Sequence, residues 1–155
     1  SPVIASDYSS ARRAIAKEMG ADVVVDPAQQ DVVSAWQQHD GKQPLVVFEA
    51  VGVPGLINTV MRDVPRETKI VVVGLCMEPD TFQPVFGVLK ELTLQFVVTY
   101  SPQEFEQAMH LIAEGDIDVS PMVTGQVGLD DIAQAFSDLS QADQHTKIMV
   151  MPLMA

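Results

Sequence analysis

The sequence predicts an α/β fold built on a parallel, doubly wound sheet. Two observations carry this. Runs of three or four apolar residues recur through the first hundred positions, as suits strands covered on both faces. Between them lie stretches with apolar residues at helical spacing. Strand and helix therefore alternate, the order that builds a parallel sheet.

The elements follow in order. Val3-Ile4-Ala5-Ser6-Asp7 is an apolar strand ending in a carboxylate. A helix from Ala11 to Met19 is closed by Gly20. Val23-Val24-Val25-Asp26 is a strand stopped by Pro27, and a helical stretch from Asp31 to Gln38 carries Val32, Val33 and Trp36. Leu45 to Glu49 is a continuous strand. Leu56 to Val64 sets Ile57, Val60, Met61 and Val64 on one helix face. Lys69 to Val73 is a buried strand ended by Gly74, and Thr93 to Val98 is another.

The last third reads differently. Ser101-Pro102-Gln103-Glu104 is a capping box with Pro at the first helical position. It opens a helix with Phe105, Ala108, Met109 and Ile112 on one face, stopped by Gly115. Met122-Val123-Thr124 is a short segment. A second helix carries Leu129, Ile132, Ala133, Phe136 and Leu139, with Asp130 and Asp131 at its start, where the helix dipole favours acids. Lys147 to Met151 is a closing strand. Pro44, Pro65, Pro79, Pro84 and Pro121 fall at element borders, and the eight methionines read as core filler.

At 155 residues and 47% apolar the chain has the size of one domain with its own core. We expect residues 1–100 to form the nucleotide-binding core and 101–155 the C-terminal helices and strand. A net charge of −12 disfavours nucleic acid and anionic membranes as partners. Cys76 is the only cysteine, so no internal disulfide or cysteine metal cluster is expected. No signal peptide or membrane span is read, and cytoplasm is the simplest compartment.

The candidate chemistry lies at the carboxyl ends of the strands, where open α/β sheets place ligands. Asp7 can accept both ribose hydroxyls of an adenosine and would repel a 2′-phosphate, which favours NAD over NADP. It reads equally as a helix-start acid beside Ser9 and Ser10. Arg12 can reach the same ribose or a phosphate, or sit on a solvated helix face. The pair Arg12-Arg13 leaves NADP open. Glu49-Ala50-Val51-Gly52 and Val73-Gly74-Leu75-Cys76 each end a buried strand in small residues, which leaves room for a flat ring or makes an ordinary turn. His39 and His145 are read in loops and His110 inside a helix, so no catalytic cluster is read. Cys76 reads as a small packed residue. No G-x-G-x-x-G occurs in the sequence, so half of a dinucleotide site is missing.

Taken together the segments resemble the zinc-dependent, medium-chain alcohol dehydrogenase family in its C-terminal, NAD-binding part. The carrying residues are Val3 to Asp7, Met19-Gly20-Ala21-Asp22-Val23-Val24-Val25-Asp26-Pro27, Val47-Phe48-Glu49-Ala50-Val51-Gly52, Lys69 to Gly74 and Thr146 to Val150. The resemblance implies a Rossmann-like doubly wound sheet lacking the first strand and the glycine-rich turn. It implies an oxidoreductase that moves hydride between an alcohol, aldehyde or ketone and nicotinamide, with this segment inactive alone. Asp7 would bind the adenosine ribose with Arg12 in support, and Tyr8 would lie on the adenine side. Ala50, Val51 and Gly52 would line the adenosine pocket. Val73, Gly74 and Leu75 would pack beside the nicotinamide ribose and ring. Val97, Val98 and Thr99 would present backbone groups to the carboxamide, and Lys147 would approach the pyrophosphate.

The family's zinc ligands belong to an N-terminal part, so no metal or catalytic residue is expected in this chain, and zinc only in a full-length protein. Without the family's first strand, the strands at Val3 and Leu45 would have unpaired edges. The resemblance also implies a homodimer through residues 93–98. Rival readings are a stand-alone nucleotide-binding module, a zinc-free NADPH-dependent enone or quinone reductase of the same superfamily, and an interaction domain without a ligand.

Overall fold

The computed structural model describes residues 2–39, 41–42, 44–141 and 143–153. The chain divides into two compact units, residues 1–41 with 103–155, and residues 42–102. All described strand pairs are parallel.

In the first unit, β1 (Ile4–Ser6) pairs with β2 (Val23–Val25), with Ala5 opposite Val24. The β1 strand stops one residue before Asp7, whose amide still extends the ladder to the Val25 carbonyl at 3.3 Å. Between these strands runs α1 (Ser10–Glu18), started by Ser9, whose hydroxyl accepts the Arg12 amide. At the other end the Lys17 ammonium donates to the carbonyls of Ala21 and Asp22, bracing the turn into β2. Helix α2 (Val32–His39) follows Asp31, whose carboxylate accepts both the amide and the hydroxyl of Ser34. His39, expected in a loop, closes this helix, since no breaker precedes it. Ala21, Val25, Val33, Ala35 and Trp36 form the core here.

The rest of this unit comes from the C-terminal third. Helix α5 (Pro102–Ala113) is present as its capping signal predicts, but Phe105, Met109 and Ile112 on its apolar face are exposed. A short 3-10 turn at Ser120–Met122 leads to β6 (Gly125–Val127), which pairs with β7 (Ile148–Val150). A second 3-10 turn (Leu129–Asp131) and α6 (Ile132–Leu139) connect them, with Ala135 buried.

The second unit is a three-stranded sheet in the order β3 (Val46–Glu49), β4 (Lys69–Val72), β5 (Thr93–Phe96). Ile70 is fully buried at its centre, among Ile57, Met61, Val64, Thr68 and Val72. Burying a side chain of that size contributes about 2–3 kcal/mol. Helix α3 (Leu56–Asp63) supplies Ile57 and Met61 to this core as its spacing predicts. Helix α4 (Pro84–Lys90) has no counterpart in the sequence reading. It is seven residues long with Gly87 inside it, too short for a helical period to stand out. Lys90 at its end donates to the carbonyls of Met61, Arg62 and Val64 and so caps the last turn of α3.

The methionines correct one expectation. Met61 is core, whereas Met19, Met77, Met109, Met122, Met149 and Met151 are exposed. Among the described residues, β1 pairs with β2 alone and β3 with β4 alone, so each presents one unladdered backbone edge.

Candidate functional site

In the first unit the candidate residues gather at the carboxyl ends of β1 and β2. Asp7 follows β1 directly. Its Oδ1 accepts the Ser9 amide at 2.8 Å, an Asx turn that leads the chain into α1. Its Oδ2 faces the Arg12 guanidinium at 3.8 Å, with the two side chains 36% and 43% exposed. One Asp7 oxygen starts the helix, and the other faces Arg12 on a partly exposed side chain. Tyr8 projects an exposed ring beside it.

The sequence reading gave Arg13 no separate role, yet it is the best-tied cation at this edge. Its Nη1 donates to the carbonyls of Asp7 (2.6 Å) and Tyr8 (2.8 Å). Its Nη2 lies 3.2 Å from Asp26 Oδ2 at the end of β2. The only sequence signal was the Arg12-Arg13 doublet, which does not say which arginine faces inward.

In the second unit the segments after β3 and β4 are brought together. Val73 and Gly74 amides both donate to the Glu49 carbonyl, at 2.7 and 2.8 Å. The Glu49 side chain, 4% exposed, turns back so that Oε1 accepts the amides of Val51 (2.7 Å) and Gly52 (2.8 Å). Gly52 has φ +72°, a left-handed conformation that suits glycine. The next strand continues this edge, with the Val97 amide donating to the Val72 carbonyl. Thr99 just beyond holds φ +54°, uncommon for a residue with a side chain. Val51, Val73, Leu75, Val97 and Val98 are exposed along this edge. The buried Glu49 side chain thus fixes a backbone shelf edged by exposed apolar side chains.

Lys147 sits elsewhere in the first unit, at the entrance to β7. Its amide and that of Thr146 donate to the Thr124 hydroxyl, and its carbonyl accepts the Thr124 amide at 2.9 Å. His145 Nδ1 lies 3.2 Å from the same hydroxyl. His110 is exposed on α5, and half-buried Cys76 has its Sγ 3.5 Å from the Glu78 carbonyl. Among the described residues no three His, Cys, Asp or Glu side chains stand together as a metal site. No described helix is long and apolar enough to cross a membrane.

Comparison with known proteins identifies the family. Residues 2–114 match the family model described as zinc-binding dehydrogenase. The chain is 29% identical over 154 residues to the (R,R)-butanediol dehydrogenase of Neisseria gonorrhoeae, covering 97% of this chain and 43% of that protein. It is 31% identical over 149 residues to the 2-dehydro-3-deoxy-L-galactonate 5-dehydrogenase of Pseudoalteromonas atlantica, covering 96% and 43%. Among solved structures, L-idonate 5-dehydrogenase of Escherichia coli superposes with a TM-score of 0.84 at 26% identity, over 97% of this chain and 43% of that one. The chain thus spans under half the length of these relatives. The family match covers most of the chain, and the order of strands and helices agrees with it: this protein belongs to the zinc-binding dehydrogenase family.

Proposed function

We propose that this chain is the NAD(H)-binding part of an alcohol or polyol dehydrogenase whose full-length form moves hydride between a small alcohol or carbonyl substrate and nicotinamide. The observation that carries this reading is Asp7. Its carboxylate directly follows β1, takes the Ser9 amide on Oδ1 and lies on a side chain that is 36% exposed, with Oδ2 toward Arg12. That is the acceptor an adenosine ribose diol requires, and its charge disfavours a 2′-phosphate. In the second unit Gly52 and Gly74 pack backbone to backbone, where a Cβ at either would overlap neighbouring backbone. Bound nicotinamide would supply the hydride acceptor. This chain's residues would hold and orient it: Asp7, Tyr8 and Arg12 on the adenosine ribose and adenine, Ala50 to Gly52 on the adenosine, Val73 to Leu75 on the nicotinamide side. Val97, Val98 and Thr99 would offer backbone groups to the carboxamide, and Lys147 would face the pyrophosphate.

Zinc belongs in this proposal to the full-length protein only. Among the described residues no three His, Cys, Asp or Glu side chains stand together as a donor set for it. We take residues 1–100 as the nucleotide-binding portion and 101–155 as the return toward the catalytic part, in a cytoplasmic enzyme with no nucleic acid or membrane partner. Supporting a homodimer through 93–98, β5 is an edge strand and Phe96 and Val98 beside it are exposed. A purely monomeric full-length protein in a sizing experiment would remove that part.

The test is a titration with NADH and, separately, NADPH, read by energy transfer from Trp36, which is buried in α2. Binding of NADH in preference to NADPH is expected. Equal binding of both, or of neither by the full-length protein, would overturn the assignment of Asp7.

A further inference from the structure

We propose that Arg13 is a positioning residue that sets coenzyme preference by locking Asp7 without itself touching the coenzyme. The inference rests on the reading of Asp7 given above. Arg13 and Arg12 are neighbours in sequence but have opposite surroundings. Arg12 is 43% exposed and meets a single carboxylate oxygen at 3.8 Å. The Arg13 side chain is 18% exposed and its guanidinium has three partners. The two protons on Nη1 are taken by two successive carbonyls, those of Asp7 and Tyr8, at 2.6 and 2.8 Å. Nη2 is taken by Asp26.

Asp26 is itself held. Its Oδ1 accepts the Ala28 amide at 2.9 Å. Two Asx turns, one at Asp7 and one at Asp26, therefore end two adjacent parallel strands, and a single planar guanidinium ties them together. Fixing two successive carbonyls fixes the peptide planes on both sides of Tyr8. The direction in which the Asp7 side chain leaves the backbone is then set before any ligand arrives. A carboxylate held in this way accepts a diol without the entropy loss of ordering the loop, and it keeps its charge where a 2′-phosphate would have to sit. Lysine cannot do the same, because an ammonium is a point donor and does not span two carbonyls and a carboxylate in a fixed plane.

A cation next to a ribose site has an alternative use, as a direct grip on a 2′-phosphate. The two roles predict opposite signs. If Arg13 positions Asp7, its loss weakens NAD(H) and leaves NADP(H) nearly unchanged, so the preference for NAD(H) falls. If Arg13 grips phosphate, its loss weakens NADP(H) and the preference rises.

The experiment uses the full-length protein with Arg13→Met, which keeps the apolar stem, and Arg13→Lys and Asp26→Asn as milder variants in case the first does not fold. Dissociation constants for NADH and NADPH are measured by titration, with thermal unfolding alongside. For Arg13→Met we expect an NADH constant raised about tenfold, as for losing a charge-assisted clamp. The NADPH constant should stay within about twofold, with Arg13→Lys and Asp26→Asn intermediate. A lower melting temperature with an unchanged NADH:NADPH ratio in all variants would make Arg13 merely structural and overturn the proposal. A raised NADPH constant with the NADH constant unchanged, so that the preference for NADH rises, would overturn it in favour of a phosphate grip. Wild-type protein that binds neither nucleotide would sink the assignment of Asp7 first. Wild type that prefers NADH, with variants that keep its constants, would sink only the role of Arg13.

Discussion

Gly52 and Gly74 meet backbone to backbone: a Cβ on Gly74 would stand 2.3 Å from the Gly52 amide nitrogen and 2.7 Å from Glu49 Oε2. No flexible side chain end is the nearest obstacle, so relief requires the two strand ends to separate. Gly74→Ala is expected to destabilise the protein by about 1–3 kcal/mol, in the range of overpacked sites. A denaturant midpoint within experimental error of wild type would show that the contact is looser than described.

Glu49 holds that contact together. Removing its side chain leaves the Val51 and Gly52 amides without their acceptor. Glu49→Ala is expected to cost about 2–4 kcal/mol, the penalty of two stranded donors. Glu49→Gln keeps one accepting oxygen and should cost less than half of that. Equal losses for both variants, measured by chemical unfolding, would mean the hydrogen bonds are not what stabilises the turn.

Asp7→Asn separates the two duties of Asp7. The amide oxygen can still accept the Ser9 amide, so folding should be nearly unchanged. The loss of charge should weaken NADH about tenfold or more and raise relative tolerance of NADPH. Calorimetric titration of the full-length protein reads both. Unaltered nucleotide constants would remove Asp7 from the site.

Lys90 links two helices of the second unit, through the Met61, Arg62 and Val64 carbonyls at the end of α3. Lys90→Met keeps the stem and removes three charge-assisted bonds at a helix C-terminus. A loss of about 1–3 kcal/mol is expected by thermal or urea unfolding. A neutral result would assign those carbonyls to water.

Asp31 provides a pH signature at the start of α2. The Ser34 hydroxyl, followed by the Ser34 amide, holds its carboxyl below the ordinary value of 3.8. Because the folded value is the lower one, the contribution is present above 3.8 and is lost as pH falls through the folded value. The wild type should therefore be more stable than Asp31→Asn at neutral pH, and the difference should shrink as the solution is acidified below about pH 4. A difference that stays constant down to strongly acidic pH would contradict this assignment.

Much of this protein was legible in its sequence because short-range periodicity and local chemistry encode it. Apolar runs marked β3 and β4, and helical spacing marked α3. The Ser-Pro-x-Glu signal located α5, and the carboxylate after β1 drew attention to Asp7. The order of these elements carried the family. Tertiary structure decided what local patterns do not encode. It chose Arg13 over Arg12 as the tied cation, because that choice depends on where the Asp26 carboxylate and two carbonyls lie after β1 and β2 pair. It made Glu49 a buried clamp and not merely the last residue of a strand. It formed α4, whose seven residues are held by docking against α3 through Lys90 more than by their own propensity. It also left Met77 and Met109 outside, since apolar character specifies a preference for burial but only the packed neighbours supply the burial itself.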